Sequence, residues 1–174
     1  MDPVLGWVLR VALSLLFAAA AFHKLRAPRE FAATLEAYAL VPSGALPLLG
    51  WALALVEGLL AAAFLVPVLG WVPIAGGALL LSIYSAAIAI NLARGRTDID
   101  CGCLGPAGGQ PLSAWLLVRN ASLVGACLLV AAPQGVRPLL WVDAISIAGG
   151  AAGIALCWTA VHLLATLPSL RRTS

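Results

Sequence analysis

Charged side chains are scarce in this chain. Asp, Glu, Lys and Arg together make up 10% of it, against about 25% in an ordinary soluble domain. With 63% of the residues apolar, that shortage excludes a soluble globular protein and points to one embedded in a lipid bilayer. Apolar segments take up nearly the whole length, which leaves no room for a separate soluble domain. A clustered basic face is also missing. The net charge of +3 comes almost entirely from arginines at segment ends, which fits membrane orientation and excludes nucleic-acid binding. The Gly-rich "GPAGGQP" at 105–111 lacks the Gly-Lys-Ser/Thr ending of a phosphate loop. No long-period repeat, low-complexity tract or linker is visible, so residues 1–174 read as a single transmembrane domain. Positive charge is lacking ahead of the first apolar run, whereas His23, Lys24, Arg26 and Arg29 follow it. A signal peptide carries its charge in front, so this run reads as a retained span. Four cysteines in such a chain do not suggest a secreted disulfide scaffold.

What is present is a set of five apolar segments, near 4–22, 46–66, 71–93, 114–132 and 140–166. Each is long enough for a bilayer core, which takes roughly 17–25 helical residues. The fold class is therefore all-α, a polytopic membrane helical bundle. Trp7, Trp51, Trp71, Trp115 and Trp141 stand near the segment starts, where indole prefers the headgroup boundary; Trp158 lies deeper and reads as packing. Between the first two spans, Phe31, Leu35 and Tyr38 recur on one side of "PREFAATLEAYALVP". This predicts a short interfacial helix near 28–40, started by Pro28 and stopped by Pro42. It serves either as a connector or as a lid over the bundle mouth. Ala54, Gly58 and Ala62 in span two, and Gly149 and Gly153 in span five, have the four-residue spacing that lets helices approach closely. Basic residues fall in the first loop (Lys24, Arg26, Arg29), the third (Arg94, Arg96) and the C-terminus (Arg171, Arg172). The second loop has none and the fourth only Arg137. Positive loops stay cytoplasmic, so the N-terminus is expected outside and the C-terminus and third loop inside.

That third loop, "TDIDCGCLGPAGGQP", holds Cys101 and Cys103 one residue apart. Residues i and i+2 in a bent loop can meet the Cα spacing of a disulfide, and Gly102 permits the torsions such a ring needs. A strained, exposed disulfide is the exchange-prone kind. Metal binding by the two thiolates with Asp98 and Asp100 is the main rival, although a closed zinc site needs four ligands and no histidine lies here. A coincidental pair is the third reading. Asp98 and Asp100 would disfavour thiolate, Arg94 and Arg96 would favour it. Cys127 and Cys157 sit inside spans four and five, at depths read as several ångströms apart. A redox relay through them stands against simple packing as small apolar residues. Glu57 lies mid-span, where a charge is expensive and either functional or paired. Arg10 is its first expected partner and Arg119 the second. Asn91 and Asn120 approach the loop from its flanking helices, to hold its backbone or a quinone-like ring. The "NAS" sequon at 120–122 falls within a span and is discarded, and His162 reads as an interfacial residue.

Taken together, Arg10, "FHK" closing span one, "F…L..Y.LVP", Glu57, "NLARGR…DCGCLG" at 91–105 and "RN" at 119–120 resemble the methylamine-utilisation MauE family. These are membrane proteins related to the DoxX proteins. The likeness covers roughly 5–130, and its most specific part is Cys-Gly-Cys-x-Gly with Arg-Asn about fifteen residues on; Leu104 stands where many members have Phe. The resemblance implies a four-helix core, here with a fifth transmembrane helix, in a bacterial inner membrane. It implies thiol–disulfide traffic with a thioredoxin-like partner and maturation of an amine dehydrogenase subunit rich in disulfides. Cys101 and Cys103 would be the redox pair, supported by Glu57, Arg119 and Asn120, with a membrane quinone as the candidate electron carrier. A membrane scaffold, chaperone or metal-binding protein using the same loop is the alternative. The resemblance implies chemistry outside the cytoplasm, whereas the charge distribution puts the loop inside.

Overall fold

Proline stands in the first turn of four helices, where its missing N–H is not needed. These are α1 (Pro3–Arg26), α2 (Pro28–Tyr38), α3 (Leu46–Phe64) and α4 (Val72–Ala93). Asp2 caps α1, its carboxylate accepting from the Val4 N–H at 2.8 Å. Two further helices, α5 (Ala114–Val130) and α6 (Trp141–Leu170), complete the all-α chain. The computed structural model describes residues 1–102, 111–135 and 137–170, with side chains up to 161.

Among the described residues, α1, the segment Ser43–Phe64, α4 and the first 21 residues of α6 are long and apolar enough to cross a membrane. The expected span at 114–132 is shorter, since α5 has 17 residues, or about 25 Å of rise. It nevertheless runs the length of the bundle. It starts beside the end of α4, and the turn after it reaches the N-terminus, where Gly135 N–H donates to Met1 O at 2.8 Å.

Helix α1 packs against α3 and α4 against α5, and contacts of α1 with α5 and of α3 with α4 close a four-helix ring. Leu13, Phe17, Phe64, Leu81, Cys127 and Val130 fill its interior, with the Phe17 and Phe64 rings stacked at 5.9 Å. The sixth helix docks outside on α1. One end of the bundle carries the N-terminus and the 131–140 turn; the other carries α2, the cysteine loop and the end of α6. We call these the amino end and the thiol end. At the amino end Arg137 bridges Asp2 (3.3 Å) and Asp143 (2.9 Å). The Val4 N–H, then Arg137, hold the Asp2 carboxyl below the usual carboxylate range.

Of the spaced small residues expected to serve close helix approach, Ala54 is buried in the core, but the glycines are not used for it. Gly58, Gly149 and Gly153 have open space at the Cβ position. A Cβ on Gly76 would lie 2.9 Å from Leu60, on Gly77 3.2 Å from Phe64, and on Gly150 2.9 Å from Val8. Periodicity located a small-residue face, but the packed face is the neighbouring one. Trp51, Trp71, Trp115 and Trp141 are exposed on the outer surface, as membrane-boundary indoles should be.

Candidate functional site at the thiol end

Glu57 is 1% exposed at the centre of α3. Its Oε1 accepts from Lys24 Nζ at 2.7 Å and from the Tyr84 hydroxyl at 2.7 Å. The ion pair expected with Arg10 is not formed. Helices α1 and α3 run antiparallel with Ser14 Oγ donating to Ala61 O at 2.7 Å, a register that leaves Arg10 roughly 12 Å of helical rise from Glu57's level. Arg10 instead donates to Phe64 O at 3.4 Å, satisfying a carbonyl at the C-terminus of α3, where a cation is also favoured by the helix dipole. Arg119, the second expected partner, points to the cysteine loop.

Lys24 and Tyr84 are the residues that reading the sequence missed. Lys24 was counted with the loop charges, yet its stem turns back into the bundle. Its ammonium lies 4.9 Å from the Phe31 ring centroid and 5.6 Å from that of Tyr84. The available signal was its place directly after an apolar run, from which a lysine can reach inward. For Tyr84 the signal was its being the lone tyrosine within a span.

The cysteine loop is held from both flanking helices. Asn91, fully buried, ends α4: its carbonyl accepts from the Arg94 and Arg96 N–H groups at 3.1 and 3.0 Å. Its Oδ1 accepts from Arg96 Nη1 at 3.4 Å. Leu112 N–H donates to Ile99 O at 3.1 Å and closes the loop base beside the Asp100–Pro111 bridge. Asp100 Oδ1 accepts from the Gly102 N–H at 3.1 Å. Gly102 has φ +69°, and a Cβ there would meet Thr34 Cγ2 at 2.8 Å. Glycine is thus required twice, by conformation and by the close approach of α2.

A helix, α2, forms within the segment where an interfacial one is expected, and Ala39 follows its last residue with a left-handed φ of 50°. Its apolar face lies on the protein: Phe31 and Leu35 reach Gly50, and Tyr38 is buried against Cys101 and Ile99. It therefore covers the mouth as a lid. Beneath it, Cys101 is only 8% exposed, which corrects the expectation of an exposed thiol. Arg119 Nη2 lies 3.8 Å from Cys101 Sγ and 3.5 Å from Asn120 Oδ1. So the cation at the sulfur is Arg119, not Arg94 or Arg96. A guanidinium there stabilises negative charge on sulfur, the nucleophilic form. Cys103, Leu104 and the rest of the glycine-rich turn to 110 lie outside the described residues.

Two cavities lie at the thiol end, one of them reaching Cys101. One of about 180 Å³ lies under α2, lined by Lys24, Tyr84 and Cys101 among apolar side chains. A second, about 240 Å³, opens beside it between Lys24, Glu30, Asp100 and Gly102. Cys127 is fully buried against Gly77, while Cys157 is exposed on α6. Neither is in a disulfide. Cys127 lies three residues before the C-terminal end of α5, at the amino end of the bundle, and Cys157 sixteen residues into α6 from that same end, a depth difference of about 20 Å, not the several ångströms expected.

The family model for "Methylamine utilisation protein MauE" matches residues 2–133, which takes in α1 to α5. The chain is 36% identical over 169 residues to methylamine utilization protein MauE of Paracoccus denitrificans, covering 96% of this chain and 90% of that one. Identity is 37% over 175 residues with the protein so named in Methylorubrum extorquens, with 99% and 94% covered. With that of Methylophilus methylotrophus it is 31% over 172 residues, with 98% and 90% covered. No solved structure matches.

Proposed function

This chain belongs to the methylamine utilisation MauE family, and we propose that it acts there as a membrane thiol–disulfide redox protein through Cys101 and Cys103. The observation that carries this reading is Cys101 Sγ held 3.8 Å from the Arg119 guanidinium, on a loop pinned by buried Asn91 and covered by α2. A merely structural cysteine needs neither a cation nor a lid. In the exchange, a thiolate of one protein attacks a disulfide sulfur of the other and expels the second sulfur as thiolate. A mixed disulfide forms, and the remaining cysteine of the pair resolves it. Two electrons pass, and one disulfide is exchanged for another. The partner is a thioredoxin-like protein, and the traffic serves maturation of an enzyme of methylamine utilisation. The thiol end faces the cytoplasm.

Because Cys101 is buried, exchange requires α2 to lift, and the cleft between Glu30 and Asp100 is where a partner would enter. Replacing either cysteine singly, Cys101→Ser or Cys103→Ser, should leave a mixed disulfide with the partner that survives non-reducing electrophoresis and disappears with reductant. Methylamine-dependent growth should fail in both. Normal growth of a strain carrying both replacements would sink the reading.

A further inference from the structure

A cavity larger than the two at the thiol end lies on the other side of the Glu57 cluster. With a volume of about 450 Å³, it runs between α1, α5 and α6, walled by apolar side chains apart from Glu57, Tyr84, Arg119, Asn120 and Thr159. That volume and that pattern, apolar walls with a few convergent polar groups, are those of a small-molecule site. Among the described residues, the buried side-chain atoms on this lining with no hydrogen-bond partner include Glu57 Oε2 and Asn120 Nδ2. Buried polar groups are nearly always satisfied, and leaving one orphaned is costly. One orphan accepts and the other donates. A ligand completing both must therefore carry an oxygen that accepts and a hydroxyl that donates, on an otherwise apolar body. An acyl chain offers neither.

The entrance shows where the ligand comes from. Leu15 and Ile154, which line the cavity, are 53% and 39% exposed on the outer surface, so the space opens to the bilayer beside α6. The Trp158 ring of that helix lies 6.0 Å over the Arg119 guanidinium. Arg119 in turn connects the cavity to the Cys101 sulfur. We infer that this cavity binds a membrane quinone, its ring among Asn120, Glu57 and Arg119 and its tail toward the lipid. Asn120 Nδ2–H donates to a ring carbonyl of the quinone, and Glu57 Oε2 accepts from a hydroxyl of the quinol. This deepens the thiol–disulfide reading and rests on it for the electron step. The cysteine pair gives up two electrons and two protons as its S–S bond forms, and the quinone takes up both electrons and two protons to become quinol.

Binding is tested separately from electron transfer by titrating purified protein in nanodiscs with decylubiquinone and following tryptophan fluorescence. Asn120→Leu should weaken binding roughly tenfold. Ala155→Trp, placed on the outer wall of α6 away from the bundle core, should abolish it by filling the cavity. The variant lacking both Cys101 and Cys103 should bind as the parent does. Equal binding by the parent, Asn120→Leu and Ala155→Trp overturns the site, as does displacement of the quinone by decane at equal concentration, which would mark an acyl-chain cleft. Thiol exchange without quinone binding overturns this inference and leaves the redox reading standing. Quinone binding without exchange does the reverse.

Discussion

Two charges sit where water does not reach, the Lys24 ammonium at 3% and the Glu57 carboxylate at 1% exposure. Mid-bilayer, such a pair survives because each member satisfies the other, with Tyr84 adding a second donor to the same carboxylate oxygen. Removing one member strands the other. Lys24→Ala should therefore lower stability by about 3–5 kcal/mol, whereas replacing the pair together, Lys24→Met with Glu57→Leu, should cost far less. Thermal unfolding in detergent of the four members of this cycle measures the coupling; additive losses would mean the two groups do not depend on each other. Sequence made Glu57 conspicuous because a carboxylate in an apolar run has no bland explanation. Its partner was not legible, because partner choice depends on the register of α1 against α3. Arg10 carries the guanidinium that best matches an isolated carboxylate, but Ser14 and Ala61 fix a register that carries it to the Phe64 carbonyl.

The decisive element is α2. Its ends and its amphipathic face follow from Pro28 and from Phe31, Leu35 and Tyr38, and were readable as a pattern. What the pattern could not say is whether that face meets lipid or protein, since both are apolar solvents for it. The answer lies in Gly102, whose missing side chain lets Thr34 close over the cysteine loop. Gly102→Ala places a Cβ 2.8 Å from Thr34 Cγ2 at a φ of +69°. The left-handed backbone alone costs about 1–2 kcal/mol for a residue with a Cβ, and the clash should displace α2. In a Cys103→Ser background, maleimide should then modify Cys101 several-fold faster than in the Gly102 parent, a measure of lid opening. Thr34→Ser removes the clashing methyl, so the double variant Gly102→Ala with Thr34→Ser should regain slow modification while keeping the stability loss. Unchanged reactivity in Gly102→Ala would mean that α2 does not gate the thiol. The same contrast explains the small-residue faces: spacing locates them, but only the neighbouring helix decides whether Gly58 or Gly76 is the one that is packed.

At the scale of the whole molecule, the question is which side of the membrane the thiol end faces, and the structure alters the charges that decide it. Lys24 is withdrawn from the count, because it is buried against Glu57. Arg26, Arg29, Arg94 and Arg96 remain in the loops at the thiol end, and Arg171 and Arg172 follow α6 toward it in the sequence. At the amino end, among the described residues, the exposed arginine is Arg137, tied to Asp2 and Asp143, while Arg10 is buried against the Phe64 carbonyl. Orientation follows Lys and Arg near span ends rather than net charge, so the asymmetry survives the loss of Lys24. It favours a cytoplasmic thiol end. The chemistry implied by the family lies outside, and a site that hands electrons to a membrane carrier through α5 and α6 reconciles the two, because such a carrier moves within the bilayer. Single cysteines introduced at exposed positions resolve the sides without relying on the buried Cys101. In a background with all four native cysteines replaced, Cys101→Ser, Cys103→Ser, Cys127→Ser and Cys157→Ser, Thr97→Cys reports the thiol end and Leu139→Cys the amino end. An impermeant maleimide should modify Leu139→Cys in intact cells and Thr97→Cys only in inverted vesicles. Modification of Thr97→Cys from outside would reverse the orientation, and with it the side from which the proposed thioredoxin-like partner would approach.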